Sequence, residues 1–418
     1  MEMGRLAAQL APLNLVPSRG QDAYEFGRLL RLQIEHNMDW GGKVLAVPLL
    51  GESLFGVYRS DLISAPRHAS ALTGRFEKRF HHGLSSNGPS TWQQVAEVAD
   101  YFAHEPNWTD GENAATPRSS LVPLSDSTDG FDREFNVVAA SMVRRSINQE
   151  MAANLKELDK NDRFFSYQID ASTGAIAIAG PGFVAAVQFM QQMQAFRPKG
   201  ASNHPIDAFR SGNAVFALAT LADLASLQDK SSAVAGKFGI CRVPGSGAAV
   251  DPASRKLTTT QEAEGNLIPY LGWGGWVAGV EAQSTQSSAA QDLLLFLSSP
   301  PVSQQAVCEP DWASGPMRST HLENRACWHN YGLTQTETNQ LIAALESYYH
   351  STTLNPAYRL RMSNQQQFLQ VFNEKVRSAI TENKPANDAL SEVARAWESL
   401  APDRAARLTE YRHSLGLH

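Results

Sequence analysis

The sequence predicts an α/β protein with two sheets, helices on both sheet faces and a helical C-terminus. Three observations carry this. Short apolar strands alternate with longer amphipathic helices. The pattern beyond residue 330 is almost wholly helical. A chain of 418 residues exceeds one ordinary domain and suits two or three.

The elements follow in order. Met1 to Leu10 reads as the tail of an amphipathic helix, ended by Ala11-Pro12-Leu13. Residues 22–36 place Phe26, Leu29, Leu30 and Ile34 on one helical face. Gly41-Gly42 is a turn between that segment and short strands at 43–48 and 54–58. Pro89-Ser90-Thr91-Trp92 opens a helix to about 103, because Ser90 or Thr91 can accept a free first-turn amide. Residues 105–130 are rich in Ser, Thr, Pro and Asp and read as a loop. Helices are expected at about 134–157 and 182–196, and strands at 214–219 and 238–243. A polar excursion covers 245–266, a helix spans 288–298 until Ser298-Ser299-Pro300-Pro301 stops it, and the closing helix runs from 388 to 400. Neither an internal repeat nor a coiled-coil heptad is present.

Composition narrows the function. A hydrophobic content of 43% supports real cores, and 19% charged residues is no signature of disorder. Lys+Arg 36 against Asp+Glu 42 gives a net charge of −6, the wrong sign for a general nucleic-acid binder. The uncharged run from Ala171 to Phe196 holds Gly180-Pro181-Gly182 and then Gln188, Gln191, Gln192 and Gln194. Those amides would lack partners in hydrocarbon, so the run reads as a turn and an amphipathic helix. Met1-Glu2-Met3-Gly4-Arg5 leads into no apolar stretch of export-signal length.

Of the three cysteines, Cys241 stands apart. Cys308 and Cys327 are close enough to pair in an oxidising compartment; three buried thiols are the other reading. A metal site would recruit Cys308, His321, Cys327 and His329, whose spacing fits no zinc pattern. No metal or cofactor is expected. Enzyme motifs are missing. Gly236-Lys237-Phe238 lacks the rest of a phosphate loop, and the tryptophans of Gly272-Trp273-Gly274-Gly275-Trp276 would obstruct a pyrophosphate. Gly245-Ser246-Gly247 lacks nucleophile-elbow spacing, and His81-His82 reads as a solvated loop.

Six segments, in order, resemble one family. They are Val44 to Pro48 with Glu52 to Leu62; Pro89 to Trp92; Ala208 to Phe216; Lys237 to Gly245; Gly274 to Val280 with Ser288 to Pro300; and Asn387 to Trp397. Together they resemble family 1 extracellular solute-binding proteins, the maltose-binding-protein-like receptors of ABC importers. The resemblance implies a two-lobed periplasmic-binding-protein type II architecture, with residues 1–53 and 270–325 in the first lobe. Residues 54–269 and 326–418 would form the second. It implies a non-catalytic monomer in the periplasm or cell envelope. That monomer would hold a small-molecule ligand, usually a sugar, between lobes that close by hinge bending, and deliver it to an ABC permease.

The resemblance assigns Glu52 to the sugar, with Ser53 beside it. Trp273, Gly274 and Trp276 lie at a crossing between lobes, where either indole could stack on a sugar or pack in the core. Trp312 lies near another crossing. The chain departs from the maltose-binding pattern at Thr220-Leu221-Ala222, where the relatives carry a stacking tryptophan. In the family, an export signal and further strand–helix units precede the segment that Leu6 to Leu13 resembles. In-frame codons upstream of Met1 are therefore expected to encode them; without them the first sheet has an exposed apolar edge. The alternatives are a relative that lost its ligand for an interaction role and a secreted carbohydrate hydrolase with a buried carboxylate pair.

Overall fold

The computed structural model describes residues 3–15, 24–85, 87–105, 108, 119–149, 153, 162–260 and 265–417. Its largest core surrounds a three-stranded sheet. The central strand Phe55–Tyr58 pairs antiparallel with Phe216–Ala219 on one side and Gly239–Cys241 on the other. All four residues of the central strand are buried, as expected of a strand covered on both faces. Two further strands, Leu124–Ser125 and Ala201–Ser202, pair in parallel nearby.

Helices cover this sheet for readable reasons. Trp92–His104 starts where Thr91 accepts the Gln94 amide, one of the two caps the sequence offered. Thr128–Val143 starts earlier than expected, because Ser127 accepts the Gly130 amide. The polar run read as a loop is thus partly capping chemistry; residues 106–107 and 109–118 of it lie outside the described residues. The excursion at 245–266 contains a hairpin, Ala248–Val250 against Leu257–Thr259. Pro181–Met193 forms the expected helix after Gly180 and buries Phe183, Ala186, Val187 and Met190. Among the described residues no helix is long and apolar enough to cross a membrane.

The C-terminal helices Gln365–Thr381, Ala386–Leu400 and Arg404–Ser414 complete the large core. In the second of them, Ala389, Leu390, Val393 and Trp397 share the buried face. Trp397 stacks on Phe368 at 4.8 Å and donates Nε1–H to the Phe368 carbonyl at 3.0 Å.

A smaller region has its own core of Leu13, Tyr24, Leu29, Met38, Val47 and Val280. Its sheets are fragments. Val47–Leu50 pairs with Trp276–Ala278, and Leu10–Ala11 with Val280–Glu281, both antiparallel. The segment read as a helix over 22–36 is irregular where described. It has one turn at Phe26–Arg28 and a wide-pitched helix at Gln33–Met38. Helix Ser287–Leu297 buries none of its residues fully, and Leu293 and Phe296 are 56% and 62% exposed.

Cys308 and Cys327 are bridged, with Cα atoms 4.6 Å apart, and Cys241 is a buried free thiol. Burial pushes the Cys241 thiol up to about 12. His321 accepts the Met317 amide at Nδ1, which leaves Nε2 to donate to Ser303 Oγ. Burial and the Arg318 charge hold it near 3.

Candidate functional site

The motif Gly272-Trp273-Gly274-Gly275 is a loop wrapped around one carboxylate. Glu52 is 3% exposed. Its Oε1 accepts the Gly272 amide at 3.2 Å and its Oε2 the Gly274 amide at 2.9 Å. Gly272 and Gly275 have φ of +81° and +79°, which glycine adopts without strain. A Cβ on Gly272 would also stand 2.3 Å from His36 Nε2. Glu52 therefore fixes the loop that presents Trp273.

Burial pushes the Glu52 carboxyl up to about 8. The Gly274, Gly272 and Trp273 amides and the Arg133 charge pull it the other way. Against an ordinary value of 4.5, the folded state holds an extra proton between 4.5 and 8. This contribution is complete below the unfolded value and is lost as pH rises through about 8. The wild-type melting temperature should fall over that window more than that of Glu52→Gln. The matching loss of unfolding free energy is expected to be larger in the wild type by on the order of 2–4 kcal/mol. Parallel pH profiles for the two proteins would count against the buried acid.

Beside this loop lies a polar cavity of about 350 Å³ with Trp273 in its wall. Strands Leu124–Ser125, Ala201–Ser202 and Phe216–Ala219 end at it, and helices Thr128–Val143 and Leu221–Gln228 begin at it. Ligands of open α/β sheets bind at such carboxyl ends of strands.

Asp223 Oδ2 accepts the Thr220 amide at 2.7 Å and the Thr220 hydroxyl at 2.8 Å. Its Oδ1 has no partner among the described residues. Asp129 meets Arg359 at 2.5 Å, yet its side chain is 74% exposed. Arg133 lies 4.8 Å over the Trp273 ring, and its guanidinium has no hydrogen-bond partner among the described residues. Trp273 Nε1 is likewise buried without one. The two carboxylates are balanced by Arg133 and Arg359, so the cavity suits a neutral ligand with many hydroxyls, bound by paired donors and acceptors and one aromatic face.

Of the six residues singled out in the sequence, Trp273 lines this cavity. Glu52 and Gly274 stand behind it and hold the loop. Ser53 Oγ accepts the Leu221 amide at 2.9 Å, tying the segment just before strand Phe55–Tyr58 to the helix whose first turn carries Asp223. Trp276 is 70% exposed on its short strand and is not among the cavity walls. That exposure excludes the core-packing alternative for Trp276 in this conformation. Trp312 is 58% exposed, also outside the walls.

Sequence reasoning missed Asp129, Arg133, His204 and Asp223, all in the walls. A signal existed. Thr220-Leu221-Ala222-Asp223 after an apolar strand is a capping box, and Ser127 caps a helix after another strand. Strand-then-cap marks the end of the sheet where ligands bind. Among the described residues no three metal-ligating side chains gather, and the disulfide removes both cysteines of the zinc alternative.

No curated protein matches the sequence significantly. Among solved structures, the maltose-bound MalE3 of T. maritima is similar over 95% of this chain and 82% of its own. It has 19% identity and a TM-score of 0.62. The sugar-binding protein MalE of Xanthomonas citri is similar over 96% and 81%, with 16% identity and a TM-score of 0.61. An Agrobacterium vitis S4 transporter solute-binding protein, solved with D-mannitol, is similar over 96% and 82%, with 16% identity and a TM-score of 0.56. At such identities the likeness establishes the fold, a two-lobed α/β architecture with a helical C-terminus. The family model for bacterial extracellular solute-binding proteins matches residues 33–334. That match takes in the Glu52 loop, the cavity walls and the disulfide, and by it this chain belongs to the bacterial extracellular solute-binding protein family.

Proposed function

We propose that this protein is the non-catalytic receptor of an ABC importer and captures a neutral sugar or polyol against Trp273. One observation carries the reading. The Arg133 guanidinium, without a hydrogen-bond partner among the described residues, lies over Trp273 beside two carboxylates, Asp129 and Asp223, where strands end and helices begin. A sugar places its CH face on the indole, its hydroxyl oxygens toward Arg133 and its hydroxyl hydrogens toward Asp223 and Asp129. Relatives of the same fold were solved with maltose and D-mannitol.

In this reading residues 1–53 and 270–325 form one lobe, and residues 54–269 and 326–418 the other. The separate small core around Val47 and Val280 supports the division. The protein acts outside the cytoplasmic membrane as a monomer, and its partners are the ligand and a permease. Trp276 and Trp312, exposed here, are available to a ligand once the lobes close.

A sugar and polyol panel followed by melting temperature tests this. A true ligand at a hundredfold excess over its Kd should add about 2.7 kcal/mol. Trp273→Ala should then weaken binding about 10- to 100-fold in calorimetry, with the fold retained by circular dichroism. Unchanged affinity in Trp273→Ala would displace the site. No shift with any sugar would favour a relative that has lost transport. The observation on that side is that Glu52 already spends both oxygens on backbone amides.

A further inference from the structure

Arg133 and Trp273 are walls of one cavity and touch each other across it. In the two-lobe reading Arg133 belongs to one lobe and Trp273 to the other, so their contact bridges the lobes. Trp273 is half-buried and packs against the main core. The Arg133 guanidinium stands 4.8 Å from the ring centroid, over the indole. A ring face takes one partner at a time. A sugar can stack on this face only once the guanidinium has left it.

Arg133 rests there although carboxylates stand in the same walls. It lies in helix Thr128–Val143, four residues after Asp129. Residues at i and i+4 are neighbours on a helix surface, so an ion pair with Asp129 is within reach. Asp129 meets Arg359 at 2.5 Å instead, and its side chain keeps 74% of its exposure. In another wall Asp223 spends Oδ2 on Thr220, and its Oδ1 has no partner among the described residues. The guanidinium itself makes no hydrogen bond or ion pair among the described residues. What holds it is the attraction of a cation to an aromatic face, which is weak enough to exchange.

We infer that Arg133 is a displaceable cover for Trp273. In the ligand-free chain its guanidinium occupies the ring face. On binding, the sugar takes that face, and the guanidinium turns toward Asp129 and Asp223 and donates to hydroxyl oxygens of the sugar. Charge-assisted hydrogen bonds then replace the cation–aromatic contact, so the exchange runs at little cost. The inference rests on the sugar-binding reading of this cavity and adds a displacement step to it. Arg133 acts first on Trp273 and only then on the ligand.

Acrylamide quenching of tryptophan emission tests the cover. The chain has eight tryptophans, so the Trp273 signal is the difference between each protein and its Trp273→Phe counterpart. In the ligand-free state Trp273 should be quenched several-fold more strongly in Arg133→Gln than in the wild type. Arg133→Lys keeps a cation and should restore part of the shielding. Equal quenching of Trp273 in the wild type and Arg133→Gln would overturn the cover. Maltose and D-mannitol then serve as probes of displacement. A bound probe should shield Trp273 in Arg133→Gln and change it little in the wild type, where one cover replaces another. A probe that binds Arg133→Gln and leaves Trp273 open would overturn displacement, because the sugar then sits elsewhere. If neither probe nor any other sugar binds either protein, the sugar reading falls and displacement with it, whatever the ligand-free shielding shows.

Discussion

Asp132→Ala should destabilise the protein by about 3–5 kcal/mol, the usual loss when one partner of a buried ion pair is removed. Asp132 is fully buried in the helix that carries Arg133. Its Oδ2 lies 3.3 Å from Arg359 Nε and accepts the Tyr270 hydroxyl at 3.0 Å. Its Oδ1 accepts Asn136 Nδ2 at 2.8 Å. Alanine would remove the carboxylate acceptor of the Tyr270 phenol in the main core, and one of two acceptors each from the Arg359 guanidinium and the Asn136 amide, which keeps the residue 132 carbonyl. Asp129, still 2.5 Å from Arg359, retains part of the interaction and sets the lower end of the range. The pair also joins distant parts of the chain, since Arg359 follows the strand Ala357–Tyr358 that pairs with Tyr270–Leu271 just before the Trp273 loop. The double variant Asp132→Ala/Arg359→Met should regain much of the loss, because an apolar pair of similar volume needs no charge compensation. Denaturant midpoints of the two single variants and the double variant give the cycle. A single-variant loss under about 1 kcal/mol would show that water already reaches the pair.

How far the sequence displays this fold depends on how local each signal is. The strands at 55–58, 216–219 and 239–241 were legible because short apolar runs lie between turn residues. Helices Trp92–His104, Pro181–Met193, Ser287–Leu297 and Ala386–Leu400 were legible from caps and periodicity. The hairpin at 248–259 was hidden because Leu257, Thr258 and Thr259 are exposed and present no apolar alternation. The segment around Ile34 has helical spacing, yet tertiary demands distort it. His36 stacks on Tyr358 at 4.5 Å, and its Nδ1 meets the Ser414 carbonyl. Both partners lie far along the chain.

The candidate site was less legible than the fold for the same reason. Trp273 stood out because a tryptophan among glycines is rare and visible. Glu52 was visible through a family resemblance, and the structure gives it the loop's amides to hold. Asp223 and Asp129 look like ordinary first-turn acids until the strands before them converge on one cavity. Arg133 sits within a helix whose neighbours are buried, so nothing in its local pattern marks it as a ligand group. Convergence of separate segments is long-range information, and periodicity carries none of it.

Breaking the Cys308–Cys327 bridge should cost about 3 kcal/mol, from the loop-closure entropy of a 19-residue separation. The bridge joins helix Pro300–Cys308 to helix Arg325–Trp328. Other contacts hold the same junction. Tyr331 donates its hydroxyl to the Val307 carbonyl at 3.1 Å, and Asn330 donates Nδ2–H to the Cys308 carbonyl at 2.8 Å. Trp328 is fully buried and donates Nε1–H to the His321 carbonyl at 3.2 Å. The native junction should therefore survive in Cys308→Ser/Cys327→Ser, with the loss appearing as a lower denaturant midpoint and faster amide exchange between the two helices. The third thiol makes the redox state easy to read. Cys241 is buried and held far from ionisation, so an alkylating reagent should miss it in the folded protein. In denaturant without reductant, protein recovered from an oxidising compartment should take one label, at Cys241. With reductant it should take three, one for each cysteine. Three labels without reductant would mean that the bridge does not form there. The stability of that junction would then rest on Tyr331, Asn330 and Trp328, and the serine variant would unfold at the wild-type midpoint.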